Sequence, residues 1–205
     1  MNDIEFAALL VSRVCHDLVS PVGAVVNGLE VLEDERDATM RADALKLVVS
    51  SAEQAAARLQ FARIAFGAAG SAGAELDLTE VGRIVKGLVN GGKVSLDWQA
   101  AQVNWPKDWA KLLMNAALLG ADSLPRGGQV HVETSSDSAS PSFTVRATGQ
   151  NARLLEEVEH AVRGEPSAPI DGRSIQPFLM HKLSRSLNTA LKLSAGDGVV
   201  TLIAG

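Results

Sequence analysis

The first part of this 205-residue chain is organised around the stretch Cys15-His16-Asp17-Leu18-Val19-Ser20-Pro21. Apolar residues recur at three- and four-residue steps on both sides of it, which is the spacing of one face of an α-helix. The members of this stripe are Phe6, Leu10, Val14, Leu18, Val22, Val25, Leu29 and Leu32. At 100° per residue, His16 lies about 200° around the helix from Val14, on the side away from that apolar face. The pattern therefore predicts a histidine that points to solvent from a packed helix, which suits chemistry on a macromolecular partner.

Two helical patterns of this kind follow one another before residue 67. The first begins with the capping-box pair Asn2 and Glu5, and the acidic segment 34–37 interrupts it as a short connection. The second carries apolar residues at alternating steps of three and four from Leu45 to Phe66, which is a heptad pattern. An antiparallel helical hairpin is the predicted structure. Because each helix would leave an apolar strip uncovered, a homodimer that completes a four-helix bundle is expected.

The composition changes at residues 67–74, a run of glycine, alanine and serine that we interpret as a hinge between domains. We expect residues 1–70 to form the helical-hairpin domain and residues 75–205 to form a second domain. The second part alternates short strand patterns with helical ones, and several of its strands are joined by polar turns. Helices beside a mostly antiparallel sheet give an α+β fold.

The composition also argues against several functional classes. A formal net charge of −5 and a pI near 5.4, with no basic stripe, argue against a nucleic-acid binder. Cys15 is the single cysteine, so no internal disulfide can form and a reducing compartment is expected. The sequence has no uninterrupted run of 18 apolar residues, and its N-terminus is acidic, unlike the basic start of a signal peptide. We therefore expect a cytoplasmic protein without a membrane span.

The residues around His16 are suited to phosphoryl chemistry. An imidazole is a good nucleophile and can accept a phosphoryl group at a ring nitrogen. Asp17 can orient the ring or take up its proton. Pro21 removes one helical hydrogen bond and is expected to bend the helix below the ring. The alternative interpretation is a solvated histidine beside an ordinary proline kink.

The outward face beside His16 is expected to dock a partner protein. It carries small and apolar side chains instead of uniform charge, and a glycine there lets another backbone approach closely. An antiparallel hairpin places His16 level with about Ala57, so outward residues of the second helix would extend the same surface. The predicted docking residues are Val19, Gly23, Val26 and Asn27 on the first helix, and Ser50, Gln54 and Arg58 on the second.

The segment from His16 to Pro21 resembles the H-box of histidine-kinase dimerisation domains, which has a histidine, then an acid, and a proline five positions after the histidine. The predicted hairpin matches the architecture of that domain. Farther along, residues 112–117 and the following 125–132 resemble the N-box and the next strand of the kinase ATP-binding domain. In that family the N-box asparagine, here Asn115, binds the magnesium ion of the nucleotide. The resemblance implies that an α/β sandwich like the kinase ATP-binding domain follows the hairpin.

The nucleotide-binding segments of such kinases are not preserved in this sequence. Where the family has D-x-G-x-G, residues 145–151 read VRATGQN and keep only Gly149. Where a second glycine-rich segment would precede the last long helix, residues 172–179 read GRSIQPFL, without the closely spaced glycines that let a chain wrap phosphates. Asn115 is therefore expected to be a structural remnant, and neither a bound cofactor nor a metal site is expected in this chain.

The sequence combines a kinase-like domain organisation and an intact phosphoacceptor with the loss of the nucleotide-binding segments. In this combination it resembles the dimeric ChpT-type histidine phosphotransferases of alphaproteobacterial phosphorelays. The resemblance implies that His16 passes a phosphoryl group between the aspartate of a hybrid histidine kinase's receiver domain and response regulators that control the cell cycle. It also implies that Mg²⁺ comes from the receiver domain. Two alternatives stay open: a divergent histidine kinase that still binds ATP, and a non-enzymatic dimer that docks on receiver domains.

Overall fold

The chain begins with a helical hairpin. A computed structural model describes residues 1–67, 73–89 and 92–205. Helix α1 spans Asp3–Asp34 and helix α2 spans Ala38–Ala65, with residues 35–37 between them. Asn2 and Glu5 form the predicted capping box at the start of α1. The α2 helix starts where the Asp37 carboxylate accepts the backbone N–H groups of residues 39 and 40, both at 2.9 Å.

Small residues line the interface between α1 and α2. Pro21 and Gly28 are buried on α1, and a Cβ added to Gly28 would lie only 2.6 Å from a Val48 methyl carbon. The helices therefore approach closely, and the contact confirms that they run antiparallel. The predicted apolar stripe of α1 is partly wrong, because Val22 and Leu29 are exposed while proline and glycine take the inward positions. Close helix packing favours small residues over the larger ones that periodicity selects.

The heptad stripe of α2 is largely uncovered in the single chain. Leu45 is 53% exposed and Leu59 is 55% exposed, although both belong to the predicted repeat. On α1, Ile4, Val11 and Val19 are also exposed. The hairpin thus carries apolar side chains on surfaces that one chain alone does not bury, which is unusual for an isolated soluble helix pair.

Helix α1 is the one helix among the described residues that has the length and apolar content to cross a bilayer. The search for an uninterrupted apolar run missed it, because Arg13 and Asp17 interrupt the apolar sequence. These two side chains form an ion pair at 2.8 Å on the helix. Length and composition alone are weak evidence for a span, since helices that pack on other helices have the same properties.

The rest of the chain, residues 75–205, is called the α/β domain below. In the described part of the chain, five of its strands form a mixed sheet in the order β2-β4-β5-β7-β6, and β1 pairs separately with β3. The β2–β4 pair is parallel, and the pairs β4–β5, β5–β7 and β6–β7 are antiparallel. The α+β fold class is confirmed. The elements are β1 Glu75–Asp77, α3 Leu78–Val89, β2 Val94–Gln99, β3 Asn104–Pro106, α4 Lys107–Asp122, β4 Gly128–Thr134, β5 Phe143–Thr148, α5 Glu156–Arg163, α6 Ile175–Ser186, β6 Lys192–Gly196 and β7 Val199–Ala204.

The hairpin and the α/β domain share one apolar core. Phe61, Ile64 and Ala65 at the end of α2 are buried in the same cluster as the side chains of α3, α4 and the inner sheet face. The predicted hinge at 67–74 falls mostly on residues 68–72, which lie outside the described residues, so the domain boundary stays a prediction. The shared core fixes the α/β domain against the half of the hairpin that carries His16.

Some local predictions for the α/β domain differ from the structure. Strand β3 was not predicted, because its three residues are too few to show an alternating pattern; its Trp105 is fully buried. Asp77 caps the start of α3, since its carboxylate accepts the Thr79 N–H at 2.8 Å. His181 is half-buried and stacks on Phe178, with ring centroids 6.0 Å apart.

A first prediction concerns His131, which lies on the outer sheet face between two carboxylates. Its Nε2 is 3.0 Å from Glu133 Oε1 and its Nδ1 is 2.7 Å from Asp97 Oδ2, and these hydrogen bonds raise the pKa of His131. A raised pKa adds stability while the ring is charged, and that stability is lost as the pH rises through the raised pKa. We expect His131→Gln to lower the free energy of unfolding at pH 6, by less than about 1 kcal/mol, and to have little effect at pH 9.

Urea titrations at the two pH values measure this difference, with the exposed His16→Gln as the matched control. An equal loss at both pH values would show that His131 acts through packing and not through charge.

Candidate functional site

His16 projects from α1 into solvent, as predicted, with 87% of its side chain exposed. Its Nδ1 is 3.5 Å from Oδ1 of Asp17, which is the long end of a hydrogen bond. Because the carboxylate can only accept, this contact favours the tautomer with the proton on Nδ1. The lone pair of Nε2 then points to solvent, where a reacting group can approach it.

Arg13 holds the other oxygen of the Asp17 carboxylate. Its Nε donates to Asp17 Oδ2 at 2.8 Å, an (i, i+4) pair on α1. Its Nη1 donates to the carbonyl oxygen of Gly172 in the α/β domain at 3.2 Å. Arg13 is a site residue that was not predicted from sequence, although its (i, i+4) spacing from Asp17 is a helical ion-pair signal.

Pro21 and Arg58 act together on the backbone of Asp17. In an unbroken helix, the N–H of residue 21 would donate to the carbonyl oxygen of residue 17, but proline has no N–H. Arg58 Nη1 supplies the missing donor from α2, at 2.9 Å from the Asp17 carbonyl oxygen. The prediction that Arg58 belongs to the outward docking face is therefore wrong, because the side chain is half-buried and turned to the inside of the hairpin.

The other predicted docking residues lie mostly at the surface. Val19 is 71% exposed, and a Cβ added to Gly23 would meet no described atom within 4 Å, so nothing in this chain requires glycine there. The exposed members of the set are Val19, Val26 and Asn27 on α1 and Ser50 and Gln54 on α2, and Gly23 is half-buried.

A cavity of about 230 Å³ lies between the hairpin and the α/β domain. Its charged lining residues are Arg13, Asp17, Arg58 and Asp122, and we call it the interdomain cavity. Asp122 is at the end of α4 and reaches solvent at the cavity mouth. Desolvation by the cavity walls nevertheless raises the pKa of its carboxyl from the ordinary value of 3.8 to about 6, against the opposing effect of Arg13. No local sequence signal could have found Asp122, because tertiary packing alone brings it here.

Asn115 is fully buried, and its hydrogen bonds link neighbouring helices. Its Nδ2 donates to the carbonyl oxygen of Lys111 at 2.8 Å and approaches that of Ala65 in the hairpin at 3.5 Å. Gln176 of α6 donates to the backbone carbonyl of Asn115 at 3.1 Å. A buried asparagine bonded in this way links α4 to α2 and α6, while its side-chain oxygen Oδ1 is buried without a hydrogen-bond partner among the described residues.

The chain directly after strand β5 is also tightly packed. A Cβ added to Gly149 would lie 2.4 Å from the Gly127 carbonyl oxygen, so the chain packs tightly on the neighbouring turn where kinases have their D-x-G-x-G segment. Within the described residues, no group of three or more His, Cys, Asp or Glu side chains is placed to hold a metal ion. An exposed imidazole backed by a held carboxylate is the chemistry that this site offers.

Comparison with known proteins agrees with that chemistry. A family model for the histidine phosphotransferase C-terminal domain matches residues 78–199. The chain belongs to the histidine phosphotransferase family. The protein phosphotransferase ChpT of Brucella abortus (strain 2308) is 38% identical to it over 196 residues, which cover 95% of this chain and 92% of the relative.

A solved structure of a bacterial phosphotransferase matches the whole architecture of this histidine phosphotransferase. It covers 100% of this chain and 98% of its own, with 35% sequence identity and a TM-score of 0.90. A histidine kinase domain of Erythrobacter litoralis EL346 aligns with 89% of the chain at 17% identity and a TM-score of 0.47. The protein is thus a phosphotransferase with a helical hairpin followed by an α/β domain.

A second prediction follows from the missing N–H of Pro21. We expect Arg58→Ala to lower the free energy of unfolding by about 1–3 kcal/mol, since it leaves the Asp17 carbonyl oxygen without a donor. Pro21→Ala restores a backbone donor, so the same Arg58→Ala substitution should cost less in that background. Urea unfolding of the wild type, both single variants and the double variant measures this coupling.

Arg185→Ala, which removes an exposed arginine of α6, is the control for loss of an arginine side chain. If the effects of Pro21→Ala and Arg58→Ala simply add, Arg58 does not replace the lost hydrogen bond.

A third prediction concerns Asp122. Because its folded pKa of about 6 lies above its ordinary value of 3.8, ionisation of this carboxyl costs the folded state free energy at neutral pH. Asp122→Asn should therefore stabilise the protein at pH 7.5, by up to about 1 kcal/mol given the solvent at the cavity mouth, and the gain should shrink as the pH falls below about 6. Urea titrations at pH 7.5 and 4.5 measure it.

Asp43→Asn, at an exposed position of α2, is the control and should change stability little at either pH. A less stable Asp122→Asn variant at pH 7.5 would contradict the prediction.

Proposed function

We propose that His16 is the phosphoacceptor through which this phosphotransferase relays a phosphoryl group in a two-component phosphorelay. The donor would be the aspartyl phosphate of a hybrid histidine kinase's receiver domain, and the acceptors would be response regulators. Family membership supports the reaction class. The observation that carries the assignment to His16 is its exposed ring, whose Nδ1 faces Asp17 and whose Nε2 is open to solvent.

In the proposed reaction, Nε2 of His16 attacks the phosphorus of the aspartyl phosphate. The new N–P bond forms as the P–O bond to the receiver's aspartate breaks, and that carboxylate leaves with the electron pair. The ring keeps its Nδ1 proton and becomes positively charged, and the Asp17 carboxylate stabilises this charge. The same steps in reverse deliver the phosphoryl group to the aspartate of a response regulator. The proposal assigns the Mg²⁺ that the transfer needs to the receiver domain.

We further propose a homodimer in the cytoplasm. The uncovered heptad side chains of α2 and an apolar groove that includes Leu10, Val11 and Leu59 are the surfaces that a second copy would bury. Packing two hairpins in this way gives a four-helix bundle, the usual solution for paired amphipathic hairpins. It also accounts for the apolar content of α1 without a membrane.

Receiver domains are proposed to dock beside His16 and not over the interdomain cavity. The proposed docking surface consists of Val19, Gly23, Val26 and Asn27 on α1 with Ser50 and Gln54 on α2, and it no longer includes Arg58. The open space above Gly23 supports this placement, because it admits the backbone of another protein.

A fourth prediction tests the acceptor directly. A receiver domain carrying a labelled aspartyl phosphate should label the wild-type protein, and His16→Ala should accept no label, because no other exposed ring nitrogen has the same geometry. Denaturing gel electrophoresis at alkaline pH, where phosphohistidine survives, measures the transfer. The His16→Ala variant should stay dimeric by light scattering, since the ring lies outside the packed interface.

His160→Ala, which removes another surface histidine, is the control and should accept label normally. Labelling of His16→Ala would move the acceptor elsewhere. Incorporation of label from ATP without any partner would favour a divergent kinase, and an inert wild type that still binds receivers would favour a non-enzymatic dimer.

A further inference from the structure

Arg13 is the side chain that joins the phosphoacceptor helix to the α/β domain at the site. Its Nε and Nη1 donate to Asp17 Oδ2 at 2.8 Å and to the Gly172 carbonyl oxygen at 3.2 Å. The side chain is 19% exposed, so both hydrogen bonds are partly shielded from water. A planar guanidinium with two engaged donors has little freedom to rotate, and it restricts the carboxylate that it holds.

The loop that presents the Gly172 carbonyl is itself fixed. The Asp171 carboxylate accepts the backbone N–H groups of Arg173 and Ser174 and the Ser174 hydroxyl, each at 2.9 Å. These hydrogen bonds, above all that from the Ser174 backbone, lower the pKa of Asp171 and keep it ionised. Helix α6 starts directly after this turn, so the carbonyl is anchored to the core of the α/β domain.

The glycine at 172 is not required by space or by backbone conformation. A Cβ added there would meet no described atom within 4 Å. The contact with Arg13 therefore uses only the main-chain carbonyl, and its existence depends on where the α/β domain sits against α1.

The charged groups that act on Asp17 line the interdomain cavity. Two guanidinium groups, of Arg13 and Arg58, meet this one residue, the first at its carboxylate and the second at its backbone carbonyl. Asp122 of the α/β domain lines the same cavity, and both guanidinium groups act on its carboxyl. With Oδ2 held by Arg13, the remaining oxygen Oδ1 is the one that faces the His16 ring.

We propose that Arg13 is a positioning residue for phosphotransfer. Because Arg13 bonds to both the Gly172 carbonyl and the Asp17 carboxylate, the position of the α/β domain fixes the orientation of Asp17. The orientation of Asp17 in turn fixes that of the His16 ring. This inference rests on the proposed role of His16 as phosphoacceptor. It gives the α/β domain a part in the reaction that needs no contact with the phosphoryl group. Lysine at position 13 has the charge but lacks the two-pronged geometry, so it should restore the function only in part.

The test compares phosphotransfer from a labelled receiver domain by wild type, Arg13→Ala, Arg13→Lys and Asp17→Asn. Rapid-quench measurements give kcat and KM for each. Arg13→Ala should lower kcat roughly 10- to 100-fold, the scale of a misplaced reacting group, with KM nearly unchanged because Arg13 lies off the docking surface. Arg13→Lys should recover part of kcat, and Arg13→Ala should add little to the loss caused by Asp17→Asn.

A second measurement separates positioning from a merely structural role. Long-range ¹H–¹⁵N spectra report the tautomer of the His16 ring, which should favour Nδ1–H in the wild type and lose that preference in Arg13→Ala. Arg185→Ala, which removes an exposed arginine of α6, is the control and should change neither readout. Arg13→Lys keeps the test decisive if Arg13→Ala does not fold.

The outcomes distinguish the two proposals. If His16→Ala is inactive while Arg13→Ala keeps the wild-type kcat and tautomer, the positioning role is overturned and the proposed function stands. If the wild type accepts no phosphoryl group on His16, the proposed function itself fails.

Discussion

The missing N–H of Pro21 is the constraint on which the site depends. It leaves the carbonyl oxygen of Asp17 without its helical donor, and a half-buried carbonyl must find another one. Arg58 supplies that donor from α2, and this pairing fixes how the two helices align beside His16. Once α2 is fixed there, its last turns bring Phe61 and Ile64 into the core of the α/β domain. One proline thus links α1, α2 and the α/β domain in a single arrangement.

Two segments of the α/β domain that resemble nucleotide-binding segments in sequence form contacts with the hairpin in this structure. Asn115, which resembles the magnesium-binding asparagine of kinases, is buried and reaches the carbonyl of Ala65 at the end of α2. Gly172, in the segment where kinases carry a glycine-rich box, presents its carbonyl to Arg13. Both contacts point to the hairpin. The α/β domain thus has a structural role at the site, since it buries the end of α2 and meets Arg13 beside the acid next to His16.

The sequence predicted what depends on local pattern and missed what depends on packing. The capping-box pair Asn2 and Glu5 correctly predicted the start of α1, and helical periodicity correctly placed His16 on the outward face. The same periodicity wrongly predicted that Val22 and Leu29 are buried. A hydrophobic pattern carries no information on how closely two helices approach, and Gly28 allows a closer approach than larger residues would. For the same reason, the sequence pattern placed Arg58 on the outward face. The role of Asp122 has no sequence signature at all, since residues more than one hundred positions apart meet in the interdomain cavity only after folding.

A relay must release the phosphoryl group as readily as it accepts it, and the site has features that favour release. Cations beside His16 would bind the phosphoryl oxygens strongly and hold the group in place. The two arginines that contact Asp17 are instead engaged in hydrogen bonds: Arg13 with the Asp17 carboxylate and Gly172, and Arg58 with the Asp17 carbonyl oxygen. The ring itself stands in solvent beside a carboxylate, whose negative charge repels phosphoryl oxygens while it stabilises the charged imidazole. On the proposed assignment of His16, these features would keep the binding of the phosphoryl group weak, as transfer in either direction requires.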